Sequence, residues 1–186
     1  MKNQLNIAFR VTIVTTILFG LIYPLGVTAL SQLLFPRQAN GSLIRKNNEV
    51  IGSELLGQTF SDPKYFHSRP SSAGTGYDAA QSSGSNLAPT NHQLVDRITS
   101  DAAKLSSENP SAPIPIDLLT SSGSGLDPDI TPAAAQFQVP RISQTRHIPE
   151  LTLRALIDQH TRQRQLGILG EPRVNVMELN AALDAR

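Results

Sequence analysis

The run SSGSGLDPDITP, residues 121–132, gathers the side chains and backbone freedom that chemistry uses: serines, two glycines and two aspartates, closed by a threonine and a proline. Three chemistries fit such a composition. Glycines ahead of a helix start can cradle a phosphate, but a phosphate loop ends its glycine run on lysine and a hydroxyl residue, and here Leu126, Asp127 and Pro128 follow. Asp127 and Asp129 would also repel the anion. Acid catalysis needs two carboxylates in different environments. These two flank a proline, where aspartate oxygens bond to nearby backbone amides as turn and cap groups. A nucleophile elbow needs glycine two places before its serine, and both Ser124 and Ser85 have serine there.

The other reactive side chains are scattered. His67, His92, His147 and His160 show no paired ligand spacing, and the chain has no cysteine, so thiolate zinc sites, cysteine nucleophiles and disulfides are excluded. No metal ligands are expected. The formal charge is +1, and no basic patch interleaves with aromatics, so nucleic acid is not an expected partner. Arg154, Arg162 and Arg164 read as solvated surface, with Asp158 among them. Arg69, Arg141 and Arg146 carry planar forks suited to carboxylates and carbonyls.

The elements that must position these groups begin with an anchor. Lys2 and Arg10 are the only charges before Arg37, and residues 11–36 carry none. That length spans a hydrocarbon core of ~30 Å and exceeds the h-region of a cleaved signal peptide. The chain thus reads as a short cytoplasmic tail (1–10), a transmembrane helix (11–36) and one extracytoplasmic domain (37–186) at the cell (inner) membrane. Pro24 predicts a kink. Thr12, Thr15, Thr16, Thr28 and Ser31 give one side of the span a small, hydroxylated face for other membrane helices or for bonds back to their own backbone.

In the soluble part, residues 41–60 read as two short strands joined around Lys46, Asn47 and Asn48. Asp62 before Pro63 predicts a short helix. Residues 69–91 form a loop long enough to suggest function or disorder. A helix with Leu94, Val95, Ile98, Ala102 and Leu105 on a buried face follows Thr90. Thr131 and Pro132 launch a helix over AAAQF that Pro140 stops. A helix from Pro149 with core residues Leu151, Ala155 and Leu156 runs to a cap at Gly167. RVNV reads as a strand and MELNAALDAR as a terminal helix. Mixed short elements predict an α+β class.

The order of motifs is distinctive. A single N-terminal span, then GSELLGQTF, YFHSRPSSAGTGYDAAQSSGSNLAPTN, DLLTSSGSGLDPDITPAAAQFQVPRISQTR and GILGEPRVNVMELNAALD, resembles the KdpC subunit of the Kdp potassium-transporting P-type ATPase. It departs from the pattern at Asp129, where histidine is usual, and at Ala88, where glycine is. The resemblance implies a non-catalytic accessory subunit needed for assembly, described in the family as a catalytic chaperone that raises the ATP affinity of the P-type ATPase subunit. Its implied partners are that subunit, a potassium-selective channel-like subunit, a small membrane subunit and the lipid bilayer. It implies no cofactor of the chain's own, with ATP bound through the pump complex. The residues expected at partner contacts are Arg69, Ser85, Asn86, Ser124, Asp127 and Asp129. The alternative is a stand-alone membrane-anchored enzyme or ligand-binding module.

Overall fold

The computed structural model describes residues 2–46 and 48–185 and divides into two compact units, one ending at Leu43 and the other beginning at Ile44. In the first, α1 (Lys2–Ile17), a π-helical turn (Leu18–Ile22) and α2 (Tyr23–Leu34) run on as one helix, long and apolar enough to cross a membrane and with no buried residue. Residues of the expected tail therefore form its first turns. The π-turn ends at Ile22, two residues before Pro24. Proline offers no N–H to the preceding turn, and its ring crowds the carbonyl four residues back. Widening the turn, with the Tyr23 N–H bonded to the Leu18 carbonyl, relieves that crowding. Thr15 Oγ donates back to Val11 O at 2.8 Å and to Thr12 O at 3.1 Å, so this hydroxyl serves its own helix. A short helix, α3 (Pro36–Ala39), follows.

The second unit opens with a two-stranded sheet of β1 (Leu43–Lys46) and β2 (Glu49–Ser53). Of its predicted turn, Asn48 takes φ 68°, and Asn47 lies outside the described residues. Asp62 and Pro63 start no helix. They make a single turn in which the Asp62 carboxylate accepts the Lys64 N–H and its carbonyl the Tyr65 N–H, after which the chain extends.

The core lies around a small antiparallel sheet with strand order β3 (Asp129–Ile130), β5 (Arg173–Asn175), β4 (Thr161–Arg162), in which Ile130 and Thr161 both face Val174. Against it pack α5 (Pro132–Phe137), α7 (Glu150–His160) and α8 (Val176–Asp184), with α6 (Val139–Arg146) packed on α5 and α7. Phe66, Ile142, Leu153, Ile157, Leu179 and Leu183 are fully buried there. Burial of such side chains contributes roughly 1.5–3 kcal/mol each.

Two predicted boundaries and two predicted core faces differ from the structure. Pro140 does not end the helical path. It occupies the first turn of α6, where a missing N–H costs nothing, and the break falls at Gln138. α7 stops at His160, because Thr161 and Arg162 pair with β5, while Thr161 Oγ donates to Ile157 O and His160 Nδ1 lies 2.9 Å from Leu156 O. Gly167 sits instead in a tight turn closed by Gln165 and Leu169. On α7, Leu151 is 80% exposed and Ala155 is exposed, whereas Leu153, Leu156 and Ile157 form the core face. α4 (His92–Glu108) begins as expected, with the Asn91 side chain accepting the Gln93 N–H, yet it buries no residue fully: Leu94, Ile98, Ala102 and Leu105 are half-covered and Val95 is exposed.

With so little regular structure, buried amide side chains hold the loops. Asn180 accepts the Phe66 N–H and donates to the Phe66 carbonyl, both at 2.9 Å. Gln138 does the same for His67, at 2.7 and 3.1 Å. Each amide replaces the neighbouring strand that an extended backbone otherwise requires. Asn175 holds Glu54 O, and Asn109 holds Phe137 O.

Candidate partner-contact site

The tethered segment at Phe66 and His67 delivers Arg69 to the opening of the long loop. Its guanidinium meets Asp127 at 2.9 Å and donates to Thr120 O through Nε at 3.3 Å. The loop then folds back on itself. Tyr77, at φ 56°, donates its hydroxyl to Arg69 O at 2.6 Å and its N–H to Ser71 Oγ at 2.8 Å. Ser71 Oγ donates to Gly125 O at 2.6 Å and also accepts the Ala73 N–H. Burial pushes the Tyr77 phenol above its ordinary pKa, so it stays a hydrogen-bond donor.

Two loops are thereby stitched face to face. Ser83 N–H and Ser82 Oγ both donate to Ser124 O, while Ser124 Oγ accepts the Leu126 N–H. The packing leaves no room for a side chain at two glycines. A Cβ on Gly125, whose φ is +67°, would lie 2.5 Å from Ser83 O, and one on Gly57 would lie 2.6 Å from Asp127 O.

Asp127 accepts the Asp129 N–H as a turn group, as its spacing predicts. Asp129 pairs with Arg173 at 2.9 Å. Its other oxygen is buried and has no hydrogen-bond partner among the described residues. Burial raises the Asp129 pKa above the usual carboxylate range, with Arg173 opposing and the Asp127 charge adding to it. Buried Asp117 accepts both the N–H and the hydroxyl of Thr131, and Thr131 in turn caps α5 at the Ala134 N–H. Arg69, Asp117, Asp127, Asp129, Thr131 and Arg173 line one shallow cleft of about 240 Å³. Its two arginines face three aspartates and Glu171, so the lining carries more negative than positive charge and does not suit a phosphate.

Of the residues singled out in the sequence, Arg69, Ser124, Asp127 and Asp129 converge on this loop pair. Ser85 and Asn86 lie just past the Ser83 stitch, Ser85 half-buried and Asn86 exposed at φ 52°. Sequence reasoning missed Asp117, Tyr77, Thr120 and Arg173. Asp117 alone carried a readable signal, as a solitary acid entering the apolar run IDLL. The Ser124 hydroxyl is engaged with the loop backbone, and no group of three or more metal-ligating side chains forms among the described residues. The other arginines singled out in the sequence are ion-paired: Arg141 with Glu108 and Arg146 with Asp184, at 3.1 and 2.6 Å, Arg154 with Glu150, Arg162 with Glu178 and Arg164 with Glu171.

The loop face is cross-linked by its own hydrogen bonds, one Asp129 oxygen excepted, and no reacting pair forms among the described residues. The family model described as K+-transporting ATPase, c chain, matches residues 5–185, which takes in the apolar helix, both loops and α8. The chain belongs to the KdpC family. It is 53% identical to the potassium-transporting ATPase KdpC subunit of Koribacter versatilis, covering 99% of this chain and 95% of that one. The corresponding subunit of Acidobacterium capsulatum is 56% identical, covering 98% of each chain. That of Caulobacter vibrioides is 58% identical over 92% of this chain and 87% of its own. The KdpC match runs nearly end to end, so the apolar helix and the second unit are both parts of the family pattern.

Proposed function

We propose that this chain is a non-catalytic accessory subunit of a potassium-transporting ATPase, held in the membrane by its N-terminal helix with the soluble unit on the extracytoplasmic side. The observation that carries this reading is the family match over residues 5–185. The loop face fits it, because polar groups bonded to one another give a preorganised contact surface that loses little entropy on binding. Its partners would be the channel-like, P-type ATPase and small membrane subunits, with Arg69, Ser85, Asn86, Ser124, Asp127 and Asp129 among the contact residues.

A domain outside the membrane lies across ~30 Å of hydrocarbon from a cytoplasmic nucleotide site. An effect on ATP affinity is then a coupling free energy carried by packed helices, and ATP is not a ligand of this chain. Ser107, exposed on α4, reports the sidedness. In intact cells, Ser107→Cys should react with a membrane-impermeant maleimide. Labelling only after the membrane is opened would place the unit inside and restore direct nucleotide contact.

A further inference from the structure

The second unit holds a larger cavity apart from the loop face. It lies between the β1–β2 hairpin and α8, has a volume of about 360 Å³, and is walled by Ile44, Ile51, Phe60, Tyr65, Met177 and Ala181. Arg45 and Lys46 stand at its mouth, both exposed. Arg45 reaches the Asn48 carbonyl at 3.5 Å, and neither cation is ion-paired among the described residues. Asp184 on the wall is held by Arg146 at 2.6 Å and by the Tyr65 hydroxyl at 2.9 Å and also feels the charge of Lys46, so the two cations outnumber the one carboxylate at the mouth.

Apolar walls beneath a cationic mouth suit an amphiphile with an anionic head. Free phosphate would leave the walls uncovered, and a neutral lipid would leave the cations unmatched. The sequence supplies the source: only residues 35–42 separate the end of α2 from the start of β1, a chain that reaches no more than ~30 Å when extended. Anchoring by the apolar helix keeps the hairpin in a region where lipid is abundant, which favours occupancy even at modest affinity.

We infer that this cleft binds an anionic phospholipid of the surrounding bilayer, its phosphate at Lys46, which shares the strand face of Ile44, with Arg45 adding positive charge at the rim, and an acyl chain along Ile44, Phe60 and Met177. The inference depends on the helix anchoring the chain and not on which complex the chain joins.

The test is photo-crosslinking of the full chain, reconstituted in phosphatidylcholine vesicles, with trace phosphatidylglycerol or phosphatidylcholine carrying a diazirine in the acyl chain. Peptides are mapped by mass spectrometry, which separates cleft labelling from lipid packed around residues 2–34. Phosphatidylglycerol should label the peptides holding Tyr65 and Met177 far more strongly than phosphatidylcholine. Arg45→Gln with Lys46→Gln should cut that labelling about 30-fold, the weight two surface cations carry towards an anionic lipid. Ala181→Trp, at an exposed position on α8, should block it with the charges intact. Labelling confined to residues 2–34, equal labelling by the two lipids, or indifference to the double variant would overturn the inference. So would labelling that appears in the isolated chain and vanishes in the assembled complex, which would assign the cleft to a protein partner.

Discussion

Replacing Asn180 with leucine isolates the device that holds the loops. Asn180 is 2% exposed and makes two 2.9 Å bonds to the Phe66 peptide. Leucine keeps the forked outline of the side chain with somewhat greater bulk and removes both partners, leaving one buried N–H and one buried C=O unsatisfied. Each such group costs about 1–3 kcal/mol, so the variant should lose about 2–6 kcal/mol. That is a large part of the roughly 5–15 kcal/mol that stabilises an ordinary domain. Urea titration of the full chain in detergent, read by pulse proteolysis, should show a lower midpoint with an unchanged slope. Asn180→Asp should fall in the same direction, because it keeps an acceptor for the Phe66 N–H but sets a carboxylate against the Phe66 carbonyl. A loss below about 1 kcal/mol for Asn180→Leu would mean that water satisfies Phe66, and the account of buried amides as substitute strands would fail.

Other outcomes follow from the same contacts. Gly125→Ala places a Cβ 2.5 Å from Ser83 O at φ +67°, and should destabilise by at least about 1–3 kcal/mol in a thermal melt through backbone strain, before the clash is counted. Arg69→Met breaks the 2.9 Å pair with Asp127 and the bond to Thr120 O; with both charges partly solvated the loss should be about 1–2 kcal/mol, while retention of partner subunits in a pull-down should fall more steeply. Burial, followed by the charge of Arg141, lowers the His67 pKa below its ordinary 6.5. The unfolded chain then binds more protons in that window, so stability falls as the pH drops from 6.5 towards the folded value, and His67→Gln should flatten the slope in denaturation curves taken across it. Asp127→Asn with Asp129→Asn should leave the potassium affinity of the assembled pump unchanged, since both carboxylates are bound to arginines; a shifted affinity would make the loop face part of the ion path.

The elements readable in the sequence were those with local signals. The uncharged span, the start of α4 after Thr90, the Thr131 and Pro132 start of α5, the RVNV strand and the terminal helix all carry their instructions within a few residues. The misplacements come from non-local pairing. Residues 161–162 look helical until β5 claims them, and Pro140 looks like a stop until the break at Gln138 turns it into a start. Asn180 and Gln138 look like surface polar residues, because the peptides they hold lie 114 and 71 residues away. The loop face was legible as identity more than as chemistry. The motif around Asp127 and Asp129 pointed to KdpC, and the turn role of Asp127 followed from its spacing. That Arg69 and Arg173 meet these two carboxylates depends on the register of β3 with β5 and on the Phe66 tether, which no local pattern encodes.

Copurification decides whether the chain belongs to a membrane complex. A tagged chain coexpressed with the other subunits of its potassium-transporting ATPase and extracted in mild detergent should elute with them as one species. The Arg69→Met variant should elute with less of them. A wild-type chain that runs alone and monodisperse while the other subunits elute elsewhere would contradict the account.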